Sequence, residues 1–87
     1  GGVSYKQQKE EQTKIRKLKT AIAKCEEEIE ALENKQSEIE GQLLLPENTT
    51  DYLKMTSLSQ ELDEIKSILN EKMENWENLS EQVANLL

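Results

Sequence analysis

The sequence has little from which a compact core is built. Aromatic residues make up only 3% of the 87 positions, phenylalanine is absent, and 33% of the residues are charged. A chain this short with so few bulky side chains cannot enclose a large globular core. A conventional enzyme pocket is therefore not expected.

The residue types that form common catalytic and metal sites are scarce as well. The chain has no histidine, its single cysteine is Cys25, and its three glycines, Gly1, Gly2 and Gly41, form no phosphate-binding loop. Metal centres, catalytic triads and nucleotide-binding loops need such residues in fixed patterns. We expect no catalysis, no cofactor and no metal in this segment.

Long apolar runs and secretion signals are also missing. No run approaches the roughly 18 apolar residues of a membrane span, and no charged start followed by an apolar stretch marks a signal peptide. One cysteine cannot form a disulfide within the chain. These features predict a soluble, cytoplasmic protein without membrane contact. We interpret residues 1–3 as a linker or cloning remnant and residues 4–87 as one domain cut from a longer protein.

Two stretches do carry a strong pattern, with apolar residues at spacings of three and four, which is typical of a coiled-coil seam. Gln36 interrupts the first seam and Lys72 the second, and these polar residues either fix the register or mark a docking place. Cys25 is interpreted as a small buried hydrophobe rather than a redox group. The first seam comprises Ile15, Leu18, Ile22, Cys25, Ile29, Leu32, Ile39 and Leu43, and the second Met55, Leu58, Leu62, Ile65, Leu69, Trp76, Leu79, Val83 and Leu86.

One break separates the two seams. It holds Pro46, the only proline, and a group of cap-forming residues. The sequence predicts an all-α fold with helix 1 at about 6–44, a turn at about 45–49 and helix 2 at about 50–86. So short a link favours an antiparallel coiled-coil hairpin, about 50 to 55 Å long.

The register of the hairpin has two solutions, because a slip of one heptad preserves the seam. The preferred register sets Leu44 level with Thr50, which places Cys25 opposite Leu69 and leaves Val83 and Leu86 to be covered by Val3 and Tyr5. The alternative sets Cys25 opposite Trp76, buries Val83 and needs a longer, partly ordered turn.

Charge is distributed unevenly along the chain. Residues 1–24 carry seven basic and two acidic side chains, whereas residues 25–87 carry four basic and sixteen acidic ones. The basic side chains either keep a coiled coil soluble, paired in part with Glu71, Glu74 or Glu81, or contact nucleic-acid phosphates without reading sequence. The candidate nucleic-acid-binding residues are Lys6, Lys9, Lys14, Arg16, Lys17 and Lys24.

Three segments give the chain a family resemblance that spans Ser4 to Leu86. They are Ser4-Tyr5-Lys6-Gln7-Gln8-Lys9-Glu10, a turn from Leu43 to Pro46 with Tyr52 soon after, and Trp76-Glu77-Asn78-Leu79. Together they resemble the C-terminal coiled-coil domain of bacterial ABC-F ATPases of the Uup-like branch. The Leu45-Pro46 pair departs from the Asp-Pro usual in that family.

The resemblance implies a noncatalytic arm of a larger cytoplasmic ATPase. ATP and Mg²⁺ would bind in cassettes upstream of this segment, and the parent would act on DNA or on ribosomal RNA during translation. The alternative is a structural or protein-docking spacer that binds no nucleic acid. We expect a monomer or a weak homodimer.

Overall fold

The computed structural model describes residues 4–87, and the regular elements of that range are all helices. Helix α1 spans Tyr5–Leu43, the short helix α2 spans Pro46–Thr49, and α3 spans Tyr52–Leu86. Residues 1–3, interpreted above as a linker or cloning remnant, lie outside the described residues. The all-α prediction is confirmed.

Both long helices begin at a side chain that caps the first turn. The Ser4 hydroxyl accepts a hydrogen bond from the Gln7 backbone N–H at 3.3 Å, and the Asp51 carboxylate accepts one from the Lys54 N–H at 3.1 Å. These oxygens satisfy backbone donors that have no partner within the helix. Pro46 occupies the first position of α2, where its missing N–H costs nothing.

The predicted seam residues form the contact between α1 and α3. Ile39, Leu58, Ile65 and Leu69 form a buried cluster. The other seam residues are buried or half-buried, apart from Trp76, which is 37% exposed. The packed partners of the buried cluster are Ile29, Leu32, Leu43 and Leu62.

Contacts between the long helices pair late residues of α1 with early residues of α3. The Lys35 ammonium nitrogen lies 3.9 Å from a carboxylate oxygen of Glu61. Cys25, which precedes Lys35 in α1, contacts Lys72, which follows Glu61 in α3. Leu18 shares a groove with Leu86 at the end of α3. The two helices therefore lie side by side with opposite chain directions. We call the end where α1 begins and α3 ends the open end, and residues 44–53 the tip.

Neither predicted register is reproduced. The Cys25 thiol donates to the Lys72 carbonyl oxygen at 3.2 Å, and the Trp76 indole N–H donates to the Glu26 carboxylate at 3.1 Å. Lys72 lies three residues after Leu69, the preferred partner of Cys25, and four residues before Trp76, the alternative partner, so the alignment falls between the two. The connection contains the short helix α2 and is therefore longer than the predicted turn, and Val83 is buried, as in the alternative.

The prediction that Tyr5 covers Val83 and Leu86 at the open end is wrong. Tyr5 is 79% exposed because it belongs to the first turn of α1, and it does not fold back over Val83 or Leu86. Val3 lies outside the described residues. Leu86 is half-buried and lines a surface groove together with Lys14, Lys17 and Leu18 of α1.

Candidate nucleic-acid interface

The first two turns of α1 project beyond the end of α3. Leu86, the last residue of α3, lies beside Lys14 and Leu18, so nothing from α3 reaches the turns before them. Residues 4–12 are accordingly all exposed. This projecting segment offers its side chains to solvent from every side of the helix.

Four of the six candidate residues border one surface depression on α1. Its lining comprises Lys6, Lys9, Lys14 and Lys17, with Glu10 and Thr13 between them. Spacings of three and four residues bring side chains to neighbouring positions on a helix. We call these four lysines the basic groove. Exposed lysine ammonium groups are the kind of group that neutralises nucleic-acid phosphates in proteins that bind them.

The other two candidates lie elsewhere. Arg16 borders a second depression on α1 together with Lys19, and Lys24 lies beside Glu28 and Lys72 in the middle of the rod. Successive helical residues are turned by about 100°, which places Arg16 and Lys17 on different sides of α1. Lys19 was missed as a candidate, although its spacing of three from Arg16 signals a shared surface.

None of these cations is neutralised by a close carboxylate within residues 4–87. The ion pairs within 4.0 Å in that range are Lys35 with Glu61 and Lys72 with Glu28. The suggested pairing of the basic residues with Glu71, Glu74 or Glu81 is therefore not observed. Every candidate side chain is exposed. Their charges remain available to a ligand from solution.

A polar cluster in the middle of the rod surrounds the seam position of Lys72. Its ammonium group pairs with the Glu28 carboxylate, which lowers the pKa of Glu28 and raises that of Lys72, chiefly through their mutual hydrogen bond. Buried Cys25 donates to the Lys72 carbonyl, and Trp76 bonds Glu26 nearby. The interruption of the seam is thus filled by cross-helix polar contacts.

Comparison with protein families decides the membership of the chain. The family model described as ABC transporter C-terminal domain matches residues 2–81. The chain belongs to this family. Searches among curated proteins and among solved structures each returned no match.

As an ABC transporter C-terminal domain, the chain is a small helical accessory unit and not itself a catalytic fold. Its acidic residues within the described range form no group of three or more metal ligands. In the same range, none of the helices is both long and apolar enough to span a membrane. The most distinctive surface feature of this ABC transporter C-terminal domain is the set of exposed basic side chains on the first half of α1.

Helix α1 of this ABC transporter C-terminal domain carries many lysines but only one aromatic side chain. Tyr5, 79% exposed, is the only aromatic residue of α1. Sequence-tolerant binding of single strands uses rows of aromatic side chains on which bases stack. Lysine ammonium groups on an exposed helix instead follow the nucleic-acid backbone.

Proposed function

We propose that the chain is the noncatalytic arm of an ABC-F type ATPase, an antiparallel coiled-coil hairpin that contacts nucleic acid through its open end. The ligand is DNA or ribosomal RNA, bound by its phosphates. ATP and Mg²⁺ belong to cassettes upstream in the parent protein, which works in the cytoplasm and, in its RNA-binding form, on the ribosome.

The observation that carries the proposal is the placement of the basic groove. Its four lysines are exposed, have no carboxylate within 4.0 Å among residues 4–87, and lie partly on the segment of α1 beyond α3. A helix projecting beyond its partner can approach a duplex without collision from the rest of the rod. Family membership supports the role of an accessory arm.

Charge along the rod supports the orientation of binding. Residues 25–71 hold thirteen acidic and three basic side chains, so phosphate repels that half of the hairpin. Residues 4–24 and 72–87 together hold eight basic and five acidic ones. A nucleic acid is therefore attracted to the open end and kept away from the tip.

The test is a titration of duplex DNA and of structured RNA across a salt series, followed by gel mobility. The wild type should bind weakly and without sequence preference, and log K should fall linearly with log salt, by about 0.9 per phosphate contacted on a duplex. The triple variant Lys6→Gln, Lys9→Gln, Lys17→Gln should bind less tightly with a shallower slope.

The matched control removes three cations from elsewhere in the rod. In Lys35→Gln, Lys54→Gln, Lys66→Gln the net charge changes equally, but the basic groove is intact. This control should keep the wild-type slope. Equal loss in both triple variants would show that only net charge matters, and absence of binding at low salt would reject the proposal.

A second candidate function is a protein-docking spacer, and the tip favours it. Leu44, Tyr52 and Leu53 are each at least 79% exposed there. Such apolar exposure is typical of contact surfaces when it is grouped. If nucleic acid does not bind at low salt, this candidate replaces the first.

A further inference from the structure

The hairpin carries two surfaces of opposite character at its two ends. At the open end, Leu18 and Leu86 form the apolar floor of a groove bordered by Lys14 and Lys17. At the tip, exposed Leu44, Tyr52 and Leu53 stand among carboxylates that include Glu47. We call the first surface the end groove. Each end thus combines apolar side chains with a charge that the other end complements.

We propose that the tip of one copy docks on the end groove of a second copy, so that two hairpins lie side by side in opposite orientations. In this arrangement each rod places its tip against the other's open end, and one two-fold axis relates two identical contacts. The proposal does not rest on nucleic-acid binding, although Lys14 and Lys17 belong to both the end groove and the basic groove, so the two ligands would compete for them.

Complementarity at both contacts favours this pairing over a parallel one. A parallel pair would place two tip halves together, each with thirteen acidic and three basic side chains. The opposed pair instead sets those carboxylates against Lys14 and Lys17, which have none within 4.0 Å among residues 4–87. Like charges across an interface are unfavourable, so the opposed pair is selected.

Apolar contact supplements the charges. Leu44 and Leu53 are 81% and 79% exposed, and the end groove has a leucine floor that accepts side chains of this size. Exposed ion pairs contribute little individually. Removal of the leucines from water adds to the attraction. The association should nevertheless be weak, because the whole chain carries a net charge of −7 and two copies repel at long range.

The test is sedimentation equilibrium of the 87-residue chain, up to about 1 mM, a concentration that detects weak dimers. Salt of about 0.1 M screens distant repulsion while close pairs persist. Two charge-reversal variants are compared with the wild type. The first is Lys14→Glu, Lys17→Glu at the open end, and the second combines Glu47→Lys at the tip with Glu38→Lys in the last two turns of α1. Circular dichroism checks that each variant remains helical.

The wild type should dimerise, and each variant alone should associate at least about tenfold more weakly. An equal mixture of the two variants should recover dimers, because both contacts in the mixed pair join opposite charges. The control Lys35→Glu, Lys66→Glu changes net charge as much as the open-end variant at positions outside the tip and the end groove, and it should behave as the wild type.

Three results would overturn the proposal. The first is a wild type that stays monomeric throughout the concentration range. The second is dimerisation that neither charge-reversal variant weakens, which would indicate exchange of helices through the seams. The third is a mixture that does not recover the dimers that its components have lost.

Discussion

At the scale of single residues, Lys72 connects the two helices through both its backbone and its side chain. Its carbonyl oxygen accepts from the Cys25 thiol, and its ammonium group pairs with Glu28. A leucine at this seam position would keep the backbone carbonyl but could not form the ion pair. The polar residue therefore selects one alignment of the helices, as polar seam residues do in coiled coils.

The pair formed by Lys72 and Glu28 predicts how stability depends on pH. The pKa of Glu28 is lowered from 4.5, so its contribution is present above that value and is lost as pH falls through the folded-state pKa. The pKa of Lys72 is raised from 10.5, so its contribution is present below that value and is lost as pH rises through the folded-state pKa.

Thermal melts of the wild type and of Lys72→Met across this range should therefore differ in shape. The wild type should gain stability from the pair between about pH 4.5 and 10.5 and lose this gain beyond both limits, whereas the variant, which lacks the pair, should not show it. Glu28→Gln provides the reciprocal control. Parallel curves for wild type and variants would show that the pair contributes nothing measurable.

At the scale of elements, the short helix α2 sets the spacing between the long helices. Asn48 is the buried polar residue of the tip, 2% exposed, and its side-chain amide donates to the Gln42 carbonyl oxygen at 2.7 Å. That carbonyl lies in the last turn of α1, where carbonyl groups lack partners within the helix. Asn48 thus joins the end of α1 to α2.

Substitution Asn48→Ala should lower the free energy of unfolding by about 0.5 to 1.5 kcal/mol. The Gln42 carbonyl oxygen loses the bond from Asn48 and keeps the 3.3 Å bond from the Leu45 backbone N–H. Urea denaturation measures the loss. Thr49→Ala, at an exposed neighbour that bonds within its own turn, serves as control and should cost less. An Asn48 variant as stable as the control would show that the tip does not depend on this bond.

The same element explains how far the sequence could predict the fold. The apolar spacing of both seams and the cap before Tyr52 sufficed to predict two long helices, because these signals are local. The register could not be chosen in this way, since a heptad slip leaves the apolar pattern unchanged. It depends on the length that α2 adds, and Asn48 reaches Gln42 only in the folded tip.

The candidate surface was predictable to a similar extent. Clustering of lysines before Cys25 indicated a basic region, and all six candidates are exposed. Helical geometry also explains why Arg16 lies on a different side of α1 from the four lysines of the basic groove. The projection of residues 4–12 beyond α3 does not, because it depends on the register that the sequence left open.

At the scale of the whole molecule, the rod consists of α1 and α3 packed together in its middle but of α1 alone at the open end. Residues 4–12 are all exposed, whereas Ile39, Ile65 and Leu69 belong to the buried cluster. Short isolated helical segments are marginal in water. The projecting segment is therefore helical mainly because it continues α1.

Amide hydrogen exchange should follow this difference. Backbone amides of residues 8–12 should exchange much faster than those of residues 25–40, because they open without breaking the seam. Bound duplex DNA should slow the exchange of residues 8–12 if the proposed contact exists. Uniform protection along α1 in the free protein would contradict the assignment of a weakly supported segment.

The hairpin geometry also has a mechanical consequence. Because α1 begins and α3 ends at the same end, a neighbour that grips this end would move the tip as the far arm of a lever. With α3 35 residues long, and at about 1.5 Å per residue, a rotation of about 10° at the grip sweeps the tip through roughly 9 Å. A small rotation at the open end therefore moves the tip by nearly the diameter of a helix.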